Sequence, residues 1–296
     1  MPLPRQQKAY FYAGATVLLW STVASAFKLS LRHFDPLQLL LWADVTSIVC
    51  LAVVLGFQKK FGLLARYSPK SLLRAAGLGI LNPFLYYVIL FAAYDLLPAQ
   101  EAQPLNYTWA ITLSLLSIPL LRQPMGAREI AAIFISYAGV VIISTRGDPL
   151  ALAFSNGPGV ALALGSTVIW ALYWIYNTRD EHDPVVGLFL NFVFALPFIF
   201  TACTVFSDPW PSSAYGFAGA AYVGVFEMGI TFIFWLKALR LTYSTARIST
   251  LIFFSPFLSL VFISALVGEV IRVSTVAGLI LIVAGNLLQQ TAAHRP

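Results

Sequence analysis

The sequence predicts an all-α integral membrane protein whose ten transmembrane helices form two inverted five-helix repeats. The 296 residues are 59% hydrophobic and only 10% charged, whereas soluble domains carry roughly 25% charged residues. Ten apolar segments, separated by short polar stretches, approach the roughly 20 residues that a helix needs to cross a bilayer. Matching features also recur between the two halves of the chain, at a nearly constant offset of about 145 to 150 residues.

The ten predicted helices follow apolar runs that are continuous and do not alternate in polarity, which favours helices over membrane-spanning strands. The first repeat, residues 1–148, holds the spans 10–30, 36–57, 71–94, 98–121 and 126–145. The second repeat, residues 149–296, holds the spans 157–177, 184–206, 213–239, 243–266 and 271–290. Because five is odd, the second copy must begin on the opposite side of the membrane, and the repeats are therefore inverted.

The basic residues predict that both termini are cytoplasmic. In this orientation 14 of the 18 lysines and arginines face the cytoplasm, as the positive-inside rule requires. The exceptions are Lys28, Arg32, Arg146 and Arg272. The net charge of +6 then belongs to loops beside the membrane, so a nucleic-acid partner is not expected.

The first predicted helix has a second interpretation. Arg5 and Lys8, an apolar run and then Ala24-Ser25-Ala26 resemble a cleavable signal peptide. Cleavage would remove the helix that matches the sixth span, so an uncleaved first helix is expected.

Two local patterns recur in both halves. Asp35-Pro36 and Asp183-Pro184 each precede an apolar span and suit a helix start, with Asp as the cap and Pro in the first turn. Tyr137-Ala138-Gly139-Val140 in the fifth span matches Val283-Ala284-Gly285-Asn286 in the tenth. Small residues let helix backbones approach closely in lipid, so most of the glycines in the spans are expected to serve packing.

The helix layout, Gly268-Glu269 before the last helix and the Ala-Gly pairs late in the fifth and tenth helices resemble the drug/metabolite transporter superfamily, EamA type, over about residues 10–290. Segments 82–87 and 106–109, together with Trp170, are similar to bacterial aromatic amino acid exporters. The first half departs from the family pattern, with Gln123-Pro124 where Gly-Glu is usual. The resemblance implies a multi-pass protein of the cytoplasmic (inner) membrane that exports amino acids, with aromatic ones favoured.

Two acidic residues lie near the bilayer centre, where a charge is costly and usually functional. They are Glu227 in the eighth span and Asp44 in the second. At the repeat offset Glu227 corresponds to Asn82, and Asp44 to the neighbourhood of Asn191. Glu227 is expected to meet a substrate ammonium group or to carry a proton, and Asp44 and Asn191 are expected to be secondary polar groups.

Proline predicts breaks in two central helices, because it removes a backbone donor and frees a carbonyl group one turn earlier. Asn82-Pro83 lies at the centre of the third span and Ser255-Pro256 at the centre of the ninth. Pro83 and Pro256 are therefore expected to be helix breaks that serve gating. Alternatively, these prolines only bend the helices to fit the bundle.

Aromatic side chains give the main evidence for a binding site. Tryptophan and tyrosine normally gather at the two membrane interfaces, but several of these residues lie near the middle of their spans. Rings with hydroxyl and indole donors suit a flat apolar ligand with a polar end, although aromatic rings also fill space between helices. The predicted substrate-binding residues of this central aromatic-lined cavity are Trp20, Asn82, Tyr86, Tyr87, Tyr107, Trp109, Trp170 and Glu227.

The inverted repeat with central polar and aromatic groups predicts a secondary transporter that works by alternating access. Small metabolites are the expected substrates, and the resemblance favours aromatic or other amino acids. Broad-specificity efflux of drugs or metabolites is the second hypothesis, and a membrane scaffold without transport is the third.

An enzyme is not expected, because the buried acids are isolated and no predicted span contains a histidine. The sequence predicts no metal site and no cofactor, and its expected partners are a small-molecule substrate and membrane lipid. The oligomeric state stays open.

Overall fold

The computed structural model describes residues 4–121, 126–150, 154–177, 180–211, 213–243, 248 and 251–292. All regular structure among these residues is helical. The α-helices are α1 Arg5–Ser30, α2 Pro36–Phe57, α3 Pro69–Gly79, α4 Tyr86–Leu96, α5 Ala99–Asn106, α6 Trp109–Leu121, α7 Ala127–Ser144, α8 Gly157–Asn177, α9 Pro184–Phe206, α10 Ala214–Tyr222, α11 Ile230–Leu241, α12 Ser255–Phe262 and α13 Val273–Ala292. Short 3₁₀ turns lie at Phe61–Arg66 and Ile252–Phe254, and π-helical segments lie at Ile80–Leu85, Val223–Glu227 and Ile263–Val267.

Helices of membrane-spanning length confirm the predicted class of multi-pass helical membrane protein. Three shorter apolar helices, Ile130–Ser144, Ile252–Val267 and Val273–Gln289, accompany them. The count of ten spans and the cytoplasmic location of both termini stay predictions. The Gln123-Pro124 pair lies outside the described residues. The six long and apolar stretches are Arg5–Ser30, Pro36–Phe57, Pro69–Leu96, Gly157–Asn177, Pro184–Phe206 and Ala214–Leu241.

The two Asp-Pro pairs start helices as predicted. Asp35 Oδ1 accepts hydrogen bonds from the backbone N–H groups of Leu37 (2.8 Å) and Gln38 (3.1 Å), and Pro36 is the first residue of α2. Asp183 does the same for α9, at 3.0 Å and 3.3 Å from the backbone nitrogens of Val185 and Val186. Each carboxylate therefore satisfies donors that the first turn of a helix leaves unpaired.

Asp183 also forms an ion pair that predicts a pH dependence of stability. Lys60 Nζ lies 2.7 Å from Asp183 Oδ2, and both side chains are largely buried. Burial opposes ionisation, but the hydrogen bond and charge of Lys60, with the two backbone donors, lower the pKa of Asp183 overall. The carboxylate therefore stabilises the fold at pH values above about 3.9, the ordinary value for aspartate, and this contribution disappears as the pH falls through the lowered folded-state pKa.

We expect Asp183→Asn to lower the free energy of unfolding by about 0.5–1 kcal/mol at pH 7, because it removes the ion pair and keeps a good cap. Asp183→Ala also removes the cap and is expected to cost about 1 kcal/mol more. Thermal unfolding in detergent at pH 7 and at pH 3 measures both. The difference in stability between wild type and Asp183→Asn should be smaller at pH 3 than at pH 7. An equal difference at both pH values would contradict the ion-pair assignment.

The described chain forms two compact units, and each combines segments from both halves of the sequence. Unit 1 contains Met1–Phe84 and Glu181–Phe262, and unit 2 contains Leu85–Asp180 and Ile263–Pro296. The boundary between Phe84 of unit 1 and Leu85 of unit 2 therefore lies inside the π-helical segment Ile80–Leu85.

The two units use similar internal packing. In unit 1, α1 packs against α11 and α12, and α2 packs against α9 and α10. In unit 2, α8 packs against α4, α5 and α6, and α7 packs along α13. The helix that opens each sequence half, α1 or α8, thus contacts broken helices of its own unit.

Candidate functional site

In unit 2, a group of aromatic side chains lies where α4 packs on α8. The Tyr86 and Trp170 rings are stacked, with centroids 4.6 Å apart and an interplanar angle of 30°. Tyr87 meets Tyr86 edge to face at 4.7 Å. Tyr86 and Tyr87 are buried, while Trp170 is half-buried and keeps part of its surface accessible. Three of the predicted binding residues are therefore in one contiguous group.

A chain of polar side chains anchors this aromatic group. Tyr86 Oη donates to Asn106 Oδ1 at 3.3 Å, and Asn106 Nδ2 donates to Ser166 Oγ at 3.0 Å. Ser166 in turn donates to the carbonyl oxygen of Ala163 at 2.7 Å. Ser166 lies one helical turn before Trp170, so α8 carries the hydrogen-bonding group and the stacking ring on the same face.

Trp170 and Trp174 are one helical turn apart and lie on the same face of α8. Their rings meet at right angles with centroids 5.8 Å apart, and Tyr173 stacks on Trp170 at the same distance. The indole nitrogen of Trp174 is buried and has no hydrogen-bond partner among the described residues. This site thus combines accessible ring surface with an unused donor, which suits a flat ligand with a polar group.

The helix that follows the aromatic group is broken where Tyr107 and Trp109 lie. α5 ends at Asn106 and α6 begins at Trp109. The break frees backbone carbonyl groups, which must find donors inside a membrane protein. Two amides of α13 supply them, because Asn286 Nδ2 donates to the carbonyl oxygen of Tyr107 at 3.1 Å and Gln289 Nε2 donates to that of Ala110 at 3.2 Å.

A buried carboxylate secures the start of α5 in unit 2. The Glu101 side chain is 1% exposed, and its Oε1 lies 2.5 Å from Arg272 Nη1 and 3.2 Å from Arg146 Nε. Ser155 Oγ donates to the other carboxylate oxygen. We call Glu101, Arg146, Arg272 and Ser155 the Glu101 network. It joins α5 to the segments before α8 and before α13.

Glu269 caps the same helix from a distant part of the chain. Its two oxygens accept from the backbone nitrogens of Ala99 (2.7 Å) and Gln100 (3.1 Å). The preceding Gly268 has a positive φ of 82°, a conformation that glycine adopts without steric cost. The Gly-Glu pair that supported the family resemblance therefore has a physical role, as a helix cap supplied in tertiary structure.

The remaining predicted substrate residues belong to unit 1. Trp20 contacts Phe232 and Trp235 of α11, with ring centroids 5.7 Å and 5.9 Å away. Asn82 is buried with a non-helical backbone, and Pro83 follows it inside the π-helical segment, as the predicted break requires. Glu227 is half-buried at the end of the second π-helical segment.

The other predicted polar and helix-breaking residues are buried in unit 1. Asp44 is 0% exposed in α2. Asn191 in α9, oriented by its surroundings, donates to the carbonyl oxygens of Ala75 and Gly187, each 3.1 Å away. This geometry gives Asn191 a packing role between α9 and α3. Pro256 follows the 3₁₀ turn Ile252–Phe254, so the predicted irregularity of the ninth span begins just before it.

The model of the EamA-like transporter family matches residues 7–145 of this chain and again residues 157–289. An uncharacterized transporter of Archaeoglobus fulgidus is 22% identical over 97% of this chain and 99% of its own. The aromatic amino acid exporter YddG of Ancylobacter novellus is 27% identical over 80% of this chain and 84% of its own. An uncharacterized transporter of Bacillus subtilis, YvbV, is 25% identical over 98% of this chain and 93% of its own.

A solved crystal structure shares this fold. It covers 98% of this chain and 98% of its own, with a TM-score of 0.66 at 21% sequence identity. Matches to the family model together span most of the sequence, and they coincide with the helical segments of both halves. On this evidence the chain belongs to the EamA-like transporter family.

Proposed function

We propose that this protein is a secondary transporter that exports small metabolites, above all aromatic amino acids, and that the substrate ring rests on Trp170 in unit 2. The observation that carries the proposal is the Tyr86–Trp170 stack held by the Asn106–Ser166 hydrogen bonds. Stacked aromatic pairs add about 0.5–1.5 kcal/mol beyond the area they bury, which favours a substrate with a ring of its own.

The polar groups beside the rings suit the other end of such a substrate. The unused Trp174 indole N–H is a donor for a carboxylate, and the Asn106 amide offers both a donor and an acceptor. A relative at 27% identity that is named an aromatic amino acid exporter supports this substrate class. Aromatic rings with a few polar groups beside them are typical of small-molecule sites.

We further propose that residues 1–148 and 149–296 are inverted repeats, with both termini cytoplasmic, and that the protein works by alternating access. The two separate matches to one family model support the repeat, and so does the similar packing inside the two units. In this proposal the interruptions at Pro83 and Pro256 act as hinges, because irregular backbone absorbs changes in φ and ψ more readily than a regular helix.

Counterflow in proteoliposomes tests the substrate assignment. Vesicles are loaded with unlabelled tryptophan, and uptake of labelled tryptophan is compared among wild type, Trp170→Ala and Tyr86→Phe. We expect Trp170→Ala to raise the half-saturating concentration about tenfold, since about 1.4 kcal/mol corresponds to that factor. Tyr86→Phe keeps the stack and removes only the hydrogen bond to Asn106, so its effect should be smaller. Trp210→Ala is the matched control, because this tryptophan is 73% exposed.

Each alternative hypothesis has a distinct outcome. Stronger competition by planar organic cations than by tryptophan or phenylalanine would replace amino acid export with broad efflux. Equal loss in Trp170→Ala and Trp210→Ala would contradict the assigned ring site. If none of the tested solutes shows counterflow, the transport hypotheses fail and the scaffold hypothesis remains.

A further inference from the structure

Unit 1 contains a carboxylic acid that no described residue neutralises. Asp44, in the middle of α2, is 0% exposed, and neither carboxylate oxygen has a hydrogen-bond partner in the part of the chain that the structure describes. Ser47, one turn further along the same helix face, is also fully buried, and its hydroxyl likewise has no partner there. Three buried oxygen atoms on one face of α2 therefore have no hydrogen-bond partner among the described residues.

The segment that packs against this turn of α2 is irregular. A methyl group added to Gly224 would collide with Thr46 Oγ1 and the carbonyl oxygen of Ala43, and would lie 3.0 Å from the backbone nitrogen of Ser47. Gly224 belongs to the π-helical segment Val223–Glu227. Such π-bulges are often found at functional sites. The residues on both sides of Asp44 are thus in direct contact with a deformed stretch of helix.

Gly229, two residues after the π-helical segment, also lies close to α2. A methyl group at Gly229 would lie 3.0 Å from Cys50 Sγ and about as far from the carbonyl oxygens of Val225 and Gly224. Gly224 and Gly229 therefore lie close to α2, the first at Ala43, Thr46 and Ser47 and the second at the side chain of Cys50. The carboxyl group of Asp44 is fully buried in this part of α2 and has no hydrogen-bond partner among the described residues.

The described elements that pack most extensively on α2 offer no positive charge. The main neighbours of α2 are α9, α10 and the π-helical segment Val223–Glu227. Their ionisable side chains are Cys203, Tyr215, Tyr222 and Glu227, none of which can carry a positive charge, and these elements contain no lysine or arginine. An ionised carboxylate without a counter-charge is costly in such surroundings. Neutrality at Asp44 therefore requires a proton or a small cation from solution.

We propose that Asp44 is a proton-binding site and that its loading and release couple substrate export to the transmembrane proton gradient. The proton adds to a carboxylate oxygen and leaves to water, and no other bond changes. A proton fits this site better than a metal cation, since Asp44 and Ser47 present only three oxygens and a hard cation needs a fuller oxygen shell. The coupling part of the proposal rests on the proposed function; the proton-binding part does not.

Asp44 differs from the acid that the sequence pattern favoured as the proton carrier. Glu227 is half-buried, and it interacts with a neighbouring group. Asp44 is fully enclosed and has no such partner among the described residues. The structure thus assigns proton binding to the second helix.

Infrared spectroscopy tests proton binding without any substrate. Full-length protein in lipid bilayers at neutral pH is expected to show the carbonyl stretch of a protonated carboxylic acid, shifted in ²H₂O, which disappears in Asp44→Asn and persists in Glu227→Gln. If Asp44→Asn does not fold, Asp44→Glu should move the band to a different frequency. Absence of the band from wild type, or its persistence unchanged in both Asp44 variants, would overturn the proposal.

Proteoliposomes test the coupling. The measured quantity is the ratio of accumulation driven by a pH gradient to tryptophan exchange at equal pH on both sides. We expect this ratio to fall at least tenfold in Asp44→Asn, while Glu181→Gln, an exposed acid in unit 1, leaves it unchanged. An unchanged ratio in Asp44→Asn, or drive by a sodium gradient and not by protons, would overturn the coupling. Failure of wild type to exchange any aromatic amino acid would contradict the proposed function and leave the infrared result standing.

Discussion

Replacing Glu101 by alanine is expected to destabilise the protein by about 3 kcal/mol, at the lower end of the range for breaking a buried ion pair. The loss would leave Arg146 and Arg272 facing each other without the carboxylate that joins them, and it would remove the acceptor for Ser155. The lower end applies because the two arginine side chains are 45% and 38% exposed and can turn to water. For a chain of this size the thermal midpoint should fall by ~6–12 °C.

Glu181→Ala is the control for the Glu101 network, since it removes an exposed acid of unit 1. Thermal unfolding followed by tryptophan fluorescence in detergent compares the two variants with wild type. A loss below about 1 kcal/mol for Glu101→Ala, the range of surface pairs, would show that the network does not hold α5 in place. Arg272→Met should give an intermediate loss, because Arg146 still neutralises the carboxylate.

Gly139→Ala is expected to disrupt the contact between α7 and α13. The added methyl group would overlap the carbonyl oxygen of Gly278 and would lie 3.0 Å from Ile282 Cγ1 and 3.1 Å from Leu281 Cβ. A flexible side chain could move aside, but a backbone oxygen cannot move without shifting the helix. Overpacking typically costs 1–3 kcal/mol, and we expect about 3 kcal/mol here because the obstacle is backbone.

Gly165→Ala in α8 is the matched control, because a methyl group there meets no atom within 4 Å. It should change stability little or raise it, since alanine favours helix more than glycine does. The two variants are compared by thermal midpoint and by the fraction that remains monodisperse in size-exclusion chromatography. Equal thermal midpoints and equal monodisperse fractions for the two variants would mean that α7 and α13 pack less closely at Gly139 than these distances indicate.

The features that could be predicted from sequence were those with a local cause. The two Asp-Pro pairs gave helix starts correct to the residue, because a cap and a first-turn proline act within four positions. The break at Asn82-Pro83 followed from the missing backbone donor of proline. Trp170 and Trp174 share a face because they are one turn apart.

The features that escaped prediction depend on residues far apart in the chain. The interruption of the eighth span at Val223–Glu227 contains no proline, and it lies where Gly224 packs against α2. Glu101 resembled an ordinary polar residue in a predicted span, because its partners at 146, 155 and 272 are separated from it by 45 to 171 residues. Most glycines in the spans were expected to serve packing, but no atom of the described residues lies within 4 Å of where a Cβ of residue 77 would be, so Gly77 does not follow this expectation.

The discontinuous composition of the units has a consequence for biosynthesis. α1 ends at Ser30, but its neighbours in unit 1, α11 and α12, begin at Ile230 and Ser255. At about 5–20 residues per second, the ribosome needs ~10–40 s to make the intervening chain. During that time α1 lies in the bilayer without the surface that finally covers its buried Ser21. A nascent chain released before Phe262 completes neither unit, so the early helices depend on the insertion machinery, or on each other, until the second half arrives.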